Sequence, residues 1–201
     1  MSMCMGLTTL ADANIQRLLD YPPLVWRAIA PDDPEVFAAA RAGYDRRGLL
    51  SRLLGRGKQD RPVPELQLAA GECITADLDK AWHGIHYLLT GTAWEGGAPH
   101  GFLLTGGSQV GNIDVGYGPA RALTARQTQE AHEALGALSD EMLRARFDPA
   151  DMIAKEIYPA IWERPPEEDD TLGYLIEYLQ NLRAFLREAV VNRLGVLVYL
   201  T

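Results

Sequence analysis

The chain has 201 residues, of which 47% are hydrophobic and 23% are charged, a composition typical of a soluble folded protein. This length predicts one domain, with a core large enough to need neither disulfides nor a structural metal. The 19 basic and 27 acidic residues give a net charge of −8, which argues against nucleic acid or an anionic membrane as the main partner.

The cysteines and the start of the chain bear on its compartment. Cys4 and Cys73 form no C-x-x-C pair, and the four histidines have no zinc-ligand spacing. The first residues lack the basic flank and apolar stretch of a signal peptide, and no apolar run reaches the ~18 residues of a membrane span. We therefore expect a reduced cytoplasmic protein, monomeric or homodimeric, with no bound metal and no cofactor.

The first third of the chain predicts a strand and two helices. Residues 1–7 are apolar and small, which favours a short strand. Asp12 is expected to cap a helix that Pro22 ends, and Pro34 falls in the first turn of a second short helix. Residues 65–69 alternate between apolar and polar and predict a short edge strand.

Residues 41–64 form a basic segment that holds 7 of the 19 positive charges. One interpretation is a docking patch for an anionic partner, and the other is a solvated, mobile loop insertion in the domain. The second interpretation is favoured, because long loops are often mobile and runs of charge usually only solvate a surface.

The middle of the chain, after a central helix, predicts short strands and capped helices. Residues 102–104 are expected to form a buried strand, and a glycine-rich loop follows through 111–118. Residues 120–123 predict another strand. Helix N-caps are expected at Thr124 (a T-x-x-Q capping box), Ser139 and Asp148.

The last third predicts one long helix and one strand. Residues 167–170 place four carboxylates at the start of a helix whose apolar stripe continues to Val190. Residues 196–200 are β-rich, and we expect them to pair inside a sheet, since an isolated apolar strand would aggregate. The predicted fold is therefore a single α/β domain.

Residues 77–91 predict the helix around which the rest is organised. Its apolar positions recur at helical spacing: Leu78, Ala81, Trp82, Ile85, Leu88 and Leu89. Gly91 stands where a left-handed C-terminal residue is wanted. The opposite side carries Asp79, His83, and His86 or Tyr87, so we expect Trp82 in the core and His83 on a partly exposed polar face.

Asp79 and His83 are the first candidate for chemistry. A carboxylate four residues before an imidazole can hold its tautomer or raise its pKa, as a general base requires. The alternative is an ordinary polar face of a helix. A metal is not expected, because His83 and His86 are three residues apart with no glutamate between them, unlike the zinc-protease spacing.

Residues 116–121, Gly-Tyr-Gly-Pro-Ala-Arg, are the second candidate. Glycines beside Arg121 suggest capture of a phosphate or carboxylate, whereas tight backbone turns are the simpler explanation. The segment has no Gly-Lys-Ser/Thr and lacks the third glycine of a dinucleotide fingerprint.

The third candidate is Glu156, Tyr158 and Trp162. These residues can either line an aromatic pocket or anchor their own segment to the core.

Residues 77–91, 116–121 and 156–159 together resemble the YfbM-like family of bacterial proteins, a domain of unknown function. Their order matches that family, and so do the Met-rich start and the closing helix and strand, so the resemblance spans nearly the whole chain. It implies a compact α/β (α+β) domain in which a small mixed sheet is packed between helices. The basic segment 41–64 has no place in the family pattern, and the resemblance brings no activity and no catalytic residues.

These observations leave two hypotheses for function. The first is a non-catalytic domain, of a regulatory or immunity type, that binds a protein or a small ligand. Its candidate ligand-binding residues are His86, Tyr117, Arg121, Glu156, Tyr158 and Trp162. The alternative is an enzyme in which His83 is the base, Asp79 orients it, and Arg121 holds an anionic substrate. A deep pocket joining these residues favours the enzyme, and a shallow or filled one favours the binding domain.

Overall fold

A five-stranded antiparallel sheet is the framework of the protein, as seen in a computed structural model that describes residues 2–52, 64–165 and 167–201. The order across the sheet is β2-β1-β5-β4-β3. The strands are β1 (Met5–Leu10), β2 (Thr75–Asp77), β3 (Ser108–Asp114), β4 (Pro119–Leu123) and β5 (Gly195–Leu200).

Strand β5 lies at the centre of the sheet, which confirms the prediction that residues 196–200 pair inside it. Met5 faces Leu200 and Leu10 faces Gly195 along β1, while Leu123 faces Val196 along β4. Strand β5 runs opposite to its neighbours β1 and β4, and each outer strand, β2 or β3, runs opposite to the strand beside it. Every neighbouring pair is therefore antiparallel, and the sheet is not mixed.

Helices cover both faces of the sheet. They are α1 (Asp12–Asp20), α2 (Val25–Ile29), α3 (Pro34–Arg52), α4 (Ala81–Thr90), α5 (Ala125–Gly136), α6 (Asp140–Ala145), α7 (Pro149–Ala154) and α8 (Thr171–Val191), with a 3₁₀ turn at Pro22–Leu24. Within the described parts of the chain, no helix combines the length and the apolar character needed to cross a membrane.

The period-two alternation of the strands divides the core into two clusters. Leu7 and Val198 point to one face, where they pack with residues of α4, α5 and α8. Leu10, Ala122 and Leu197 point to the other face, where they pack with α1, α2 and the start of α3. The sheet therefore lies between two layers of helices, which confirms the predicted fold class.

The predicted start signals at Thr124, Ser139 and Asp148 are confirmed, but the predicted cap at Asp12 is wrong. Ala11 is the cap residue of α1, and the Asp12 carboxylate instead accepts a hydrogen bond from the distant backbone N–H of Ala125. Thr124 forms a complete capping box with Gln127 at the start of α5, and the side chain of Ser139 accepts a hydrogen bond from the first turn of α6. Asp148 and Asp170 cap α7 and α8 in the same way. These predictions succeed because each cap involves residues only three positions apart.

Three further predictions of local structure are wrong. Residues 65–69 form no strand and instead run along α1. There the Asn14 side chain donates a hydrogen bond to the backbone carbonyl of Gln67 and accepts one from its backbone N–H. Residues 102–104 are turns, although Phe102 and Leu103 are buried as expected. Residues 108–114 form β3, which includes the first part of the expected glycine-rich loop 111–118. A positive φ at Gly111 accompanies the irregular pairing of β3 with β4.

The basic segment is partly helical. Residues 41–52 continue helix α3, which is longer than the short helix expected from Pro34. The rest of the predicted insertion, residues 53–63, lies outside the described residues. The ion pair between Arg41 and Asp45 is exposed on the surface of this helix, so it contributes little to stability.

Gly84 lies where α4 packs tightly against its neighbours. A Cβ atom at this position would lie 2.6 Å from Leu175 Cδ2 and 2.8 Å from Trp162 Cη2. Both neighbours are buried, so neither has room to move away. The glycine is therefore required by packing within a helix, where glycine otherwise weakens stability.

We expect Gly84→Ala to lower the free energy of unfolding by about 1 to 3 kcal/mol, because it overpacks the contact between α4 and α8. Gly43 in α3 is the matched control, since nothing lies within 4 Å of an added Cβ there. Gly43→Ala should raise stability by about 0.5 to 1 kcal/mol through helix propensity. Urea unfolding measures both, and stabilisation by both substitutions would contradict the packing described.

Candidate functional site

Helix α4 is buried on all sides, not only along its apolar stripe. Trp82 is in the core as predicted, but His83 and His86 are also 0% exposed. The prediction of a partly exposed polar face is therefore wrong. The reason is that the loop after α4 and the segment 156–162 cover the side of the helix that the sheet and α8 do not.

The His83 imidazole joins α4 to both of these covering segments. Its Nδ1 accepts a hydrogen bond of 2.9 Å from the backbone N–H of Tyr158. Nδ1 therefore carries no proton, and Nε2 donates to the carbonyl of Ala93 at 2.7 Å. Burial lowers the pKa of His83 to about 4, despite the opposing effect of the Ala93 carbonyl. The ring is neutral at pH 7.

His86, one turn further along α4, makes a similar contact with the same loop. Its Nε2 donates to the carbonyl of Glu95 at 3.0 Å, and burial lowers its pKa. Among the described residues, its Nδ1 has no hydrogen-bond partner. His86 therefore belongs to the interior of the protein, and the candidate ligand-binding role of its side chain has no exposed surface to act from.

Asp79 does not orient His83. It lies in the turn before α4 with a φ of 45°, and not within the helix as expected. Its carboxylate accepts hydrogen bonds from the Cys4 thiol at 3.4 Å and the Tyr174 hydroxyl at 3.1 Å. Burial, followed by the charge of Asp79, raises the pKa of Tyr174. Since both His83 nitrogens bind backbone groups, the expected carboxylate–imidazole pair does not form.

Aromatic rings enclose His83. The Trp82 ring stacks on the imidazole at 4.6 Å between centroids, and the Trp94 ring lies 4.5 Å from it at 45°. Tyr158 is 6.2 Å from Trp82 in a stacked orientation. Trp94 keeps 54% of its surface exposed, so its inner side covers His83 and its outer side faces solvent.

The third candidate motif is divided between core and surface. Trp162 is 1% exposed and donates its indole N–H to the carbonyl of Ile157 at 2.7 Å, so it anchors this segment to the core. The Tyr158 hydroxyl accepts from the backbone N–H of Met3 at 3.2 Å. Glu156 has a φ of 55° and an exposed side chain. These three residues do not meet Tyr117 or Arg121 in one pocket.

Tyr117 and Arg121, from the second candidate motif, do share a groove. It has a volume of about 260 Å³ and lies on the face of the sheet that carries α4. We name it the Trp94 groove, after the exposed tryptophan that lines it with these two residues. The rest of its lining consists of Met5, Leu103, Leu104, Pro119, Val198, Tyr199 and Leu200.

The hairpin between β3 and β4 positions Tyr117. The Asp114 carboxylate accepts hydrogen bonds from the backbone N–H groups of Gly116 and Gly118, both at 2.9 Å, and these bonds lower its pKa. The φ values of the two glycines are 149° and 107°, which glycine adopts readily. Tyr117 donates its N–H to the carbonyl of Leu200 at 3.1 Å and keeps 42% of its surface exposed.

Arg121, which also lines the groove, is held by backbone carbonyls of residues 105–107. Its Nε donates to Gly106 at 2.6 Å, and its Nη2 donates to Thr105 at 3.2 Å and to Gly107 at 3.0 Å. None of the ion pairs within the described parts of the chain involves Arg121. The guanidinium therefore has a fixed orientation and a charge that no carboxylate of the described residues neutralises.

Trp94 is the residue that sequence reasoning missed. Residues 94–99 hold none of the candidates named from the sequence, and the signal there is a tryptophan in a short run containing two glycines, Gly96 and Gly97. No cluster of three or more potential metal-ligating side chains occurs in residues 2–52, 64–165 and 167–201. The groove brings the candidates Tyr117 and Arg121, from one segment, together with Trp94 from another.

The fold and the groove define an α/β domain with a central antiparallel sheet and an open, aromatic-lined depression. Residues 1–199 match the family described as a domain of unknown function (DUF1877), and the chain belongs to that family. No curated protein matches the chain.

Among solved structures, the chain is similar to the crystal structure of YfbM from Escherichia coli, a protein of unknown function. The TM-score is 0.62 with 15% sequence identity, and the alignment covers 98% of this chain and 99% of that one. The predicted resemblance to the YfbM-like family is confirmed. At this identity, the likeness to YfbM shows a shared fold.

We expect His83→Ala to lower the free energy of unfolding by about 3 kcal/mol or more. It leaves a cavity and removes the partners of two buried backbone groups, the Ala93 carbonyl and the Tyr158 N–H. His132→Ala is the matched control, because His132 is only half-buried on α5 and should change stability by no more than about 0.5 kcal/mol. Equal effects of the two substitutions in urea unfolding would contradict the bridging role of His83.

Stability should also depend on pH through His83. Its pKa is about 4 in the folded protein and near 6.5 when unfolded, so the unfolded chain binds the extra proton. The contribution of neutral, buried His83 to the free energy of unfolding is complete above pH 6.5. This contribution is lost as the pH falls towards 4, so the free energy of unfolding decreases by about 3 kcal/mol. Urea unfolding across this range measures it, with His83→Gln as the comparison. The variant should lose less stability on acidification; an equal loss would contradict the assignment.

Proposed function

We propose that this protein is a non-catalytic binding domain that holds a small organic ligand in the Trp94 groove. The observation that carries the proposal is the pair of exposed rings, Trp94 and Tyr117, that line the groove together with an apolar floor. Met5, Leu103 and Val198 in that floor are each less than 5% exposed. Large rings beside a concave apolar surface, with few polar groups, are typical of small-molecule sites.

The size and shape of the groove favour a small ligand over a protein partner. Its volume of about 260 Å³ lies just below the range of roughly 300 to 1,000 Å³ typical of drug-sized ligands. A stable protein interface needs a surface of roughly 800 Å² on each partner, and a single depression of this size does not supply it. A ligand with one ring and a short substituent fits the dimensions.

The arrangement of titratable groups supports binding without catalysis. A general base needs a free nitrogen within reach of the substrate, and both nitrogens of His83 bind backbone groups. Its pKa of about 4 also makes the imidazole a weak base. Asp79 is bonded to Cys4 and Tyr174 instead of to a histidine.

A thermal-shift screen of small aromatic compounds, both neutral and charged, tests the proposal. A ligand at 100 times its Kd should raise the melting temperature by roughly 5 to 10 °C. Trp94→Ala and Tyr117→Ala should each abolish the shift. Tyr44→Ala is the matched control, because Tyr44 is a comparably exposed aromatic residue on α3, on the other side of the sheet, and its loss should leave the shift unchanged.

Two outcomes would count against the proposal. If hits retain their shift in both Trp94→Ala and Tyr117→Ala, the ligand binds elsewhere. If mass spectrometry shows that a bound compound is converted to a product, and Trp94→Ala stops that conversion, the groove is an active site.

A further inference from the structure

The hydrogen bonds of Arg121 leave one of its nitrogens available to a ligand. A guanidinium has five N–H groups, one on Nε and two on each terminal nitrogen. The carbonyl of Gly106 takes the Nε–H, and the carbonyls of Thr105 and Gly107 take both hydrogens of Nη2. The two N–H groups of Nη1 have no acceptor among the described residues.

This arrangement makes Arg121 a preorganised cation on the wall of the Trp94 groove. Three backbone carbonyls fix the plane of the guanidinium, so a ligand does not have to immobilise a long flexible side chain when it binds. Charge-assisted hydrogen bonds to a carboxylate are roughly twice as strong as neutral ones. The free nitrogen therefore favours an anionic acceptor.

We infer that the ligand of the Trp94 groove is an aromatic monocarboxylate, with its carboxylate on Nη1 of Arg121 and its ring between Trp94 and Tyr117. The inference rests on the proposed function and adds the chemical class of the ligand. The two exposed rings supply flat apolar surface for the body of the ligand, and Arg121 supplies the single positive charge among the described lining residues.

A carboxylate fits this site better than a phosphate does. Arginine binds carboxylate and phosphate alike through a two-nitrogen fork, and here Nε and Nη2 are both occupied by the backbone, so either anion is limited to Nη1 and the charge of the ligand decides. A dianion would bring two negative charges to one cation in a protein whose net charge is −8. One nitrogen with two N–H groups suits the smaller charge of a carboxylate.

Three probes that share one ring test the inference: phenylacetate, its neutral analogue phenylacetamide, and phenyl phosphate. Titrations followed through the indole N–H resonance of Trp94 give the Kd of each. Phenylacetate should bind about tenfold more tightly than phenylacetamide, and phenyl phosphate no more tightly than phenylacetate. Added sodium chloride should weaken phenylacetate binding and leave phenylacetamide binding unchanged, because salt screens only the charged contact.

Arg121→Gln provides the matched variant. It removes the charge but keeps an amide donor for the carbonyls of the 105–107 loop, so the ratio of the two Kd values should fall from about tenfold to near one. A ratio that stays near tenfold in this variant would overturn the assignment of the carboxylate to Arg121, whereas loss of loop structure alone would weaken both probes by the same factor. If this variant does not fold, the salt dependence of the wild-type protein still separates the charged contact from ring stacking.

The outcomes separate this inference from the proposed function. Equal binding of phenylacetate and phenylacetamide, with both lost in Tyr117→Ala, overturns the carboxylate class and leaves a small-ligand groove. Tighter binding of phenyl phosphate also overturns the class. If phenylacetate causes no change in the Trp94 resonance, the inference fails, and the proposed function then depends only on the wider compound screen.

Discussion

The hydrogen-bonded imidazole of His83 holds three separate parts of the chain together: helix α4, the loop after it, and the segment around Tyr158. A neutral imidazole has one donor and one acceptor, and it meets one backbone carbonyl, that of Ala93, and one backbone N–H, that of Tyr158. Only this protonation state satisfies both backbone groups. Because Ala93 is fixed, the next residue, Trp94, lies with one side of its ring over the imidazole and the other towards solvent.

The fold was predictable from sequence where the determining interactions are local. The cap at Thr124 and the burial of Trp82 depend on neighbours within one or two helical turns. The burial of His83 was not predictable in this way, because its partners Ala93 and Tyr158 are 10 and 75 residues away. Periodicity identifies a polar side of a helix, but it does not reveal which distant backbone groups will cover that side.

The candidate site was predictable only in part, for a similar reason. Tyr117 and Arg121 stood out because glycines and an arginine are close together in sequence, and they do line one groove. Trp94 lines the same groove but comes from a different loop, and only tertiary structure brings it there. Glu156 and Trp162 looked equally suitable, yet one is solvent-exposed and the other is in the core.

The central position of β5 has a consequence for biosynthesis. The β1–β2 pair and the β3–β4 pair meet only through β5, whose six residues are the last to be made of all the described strands. Until residues 195–200 leave the ribosome, both pairs have an unpaired edge, and the apolar side chains that β5 will bury remain exposed. β1 must also pair with a partner nearly the whole domain away, and such long-range closure slows folding. The nascent chain is therefore expected to depend on chaperones, and its half-sheets are vulnerable to proteolysis, until synthesis of the domain is complete.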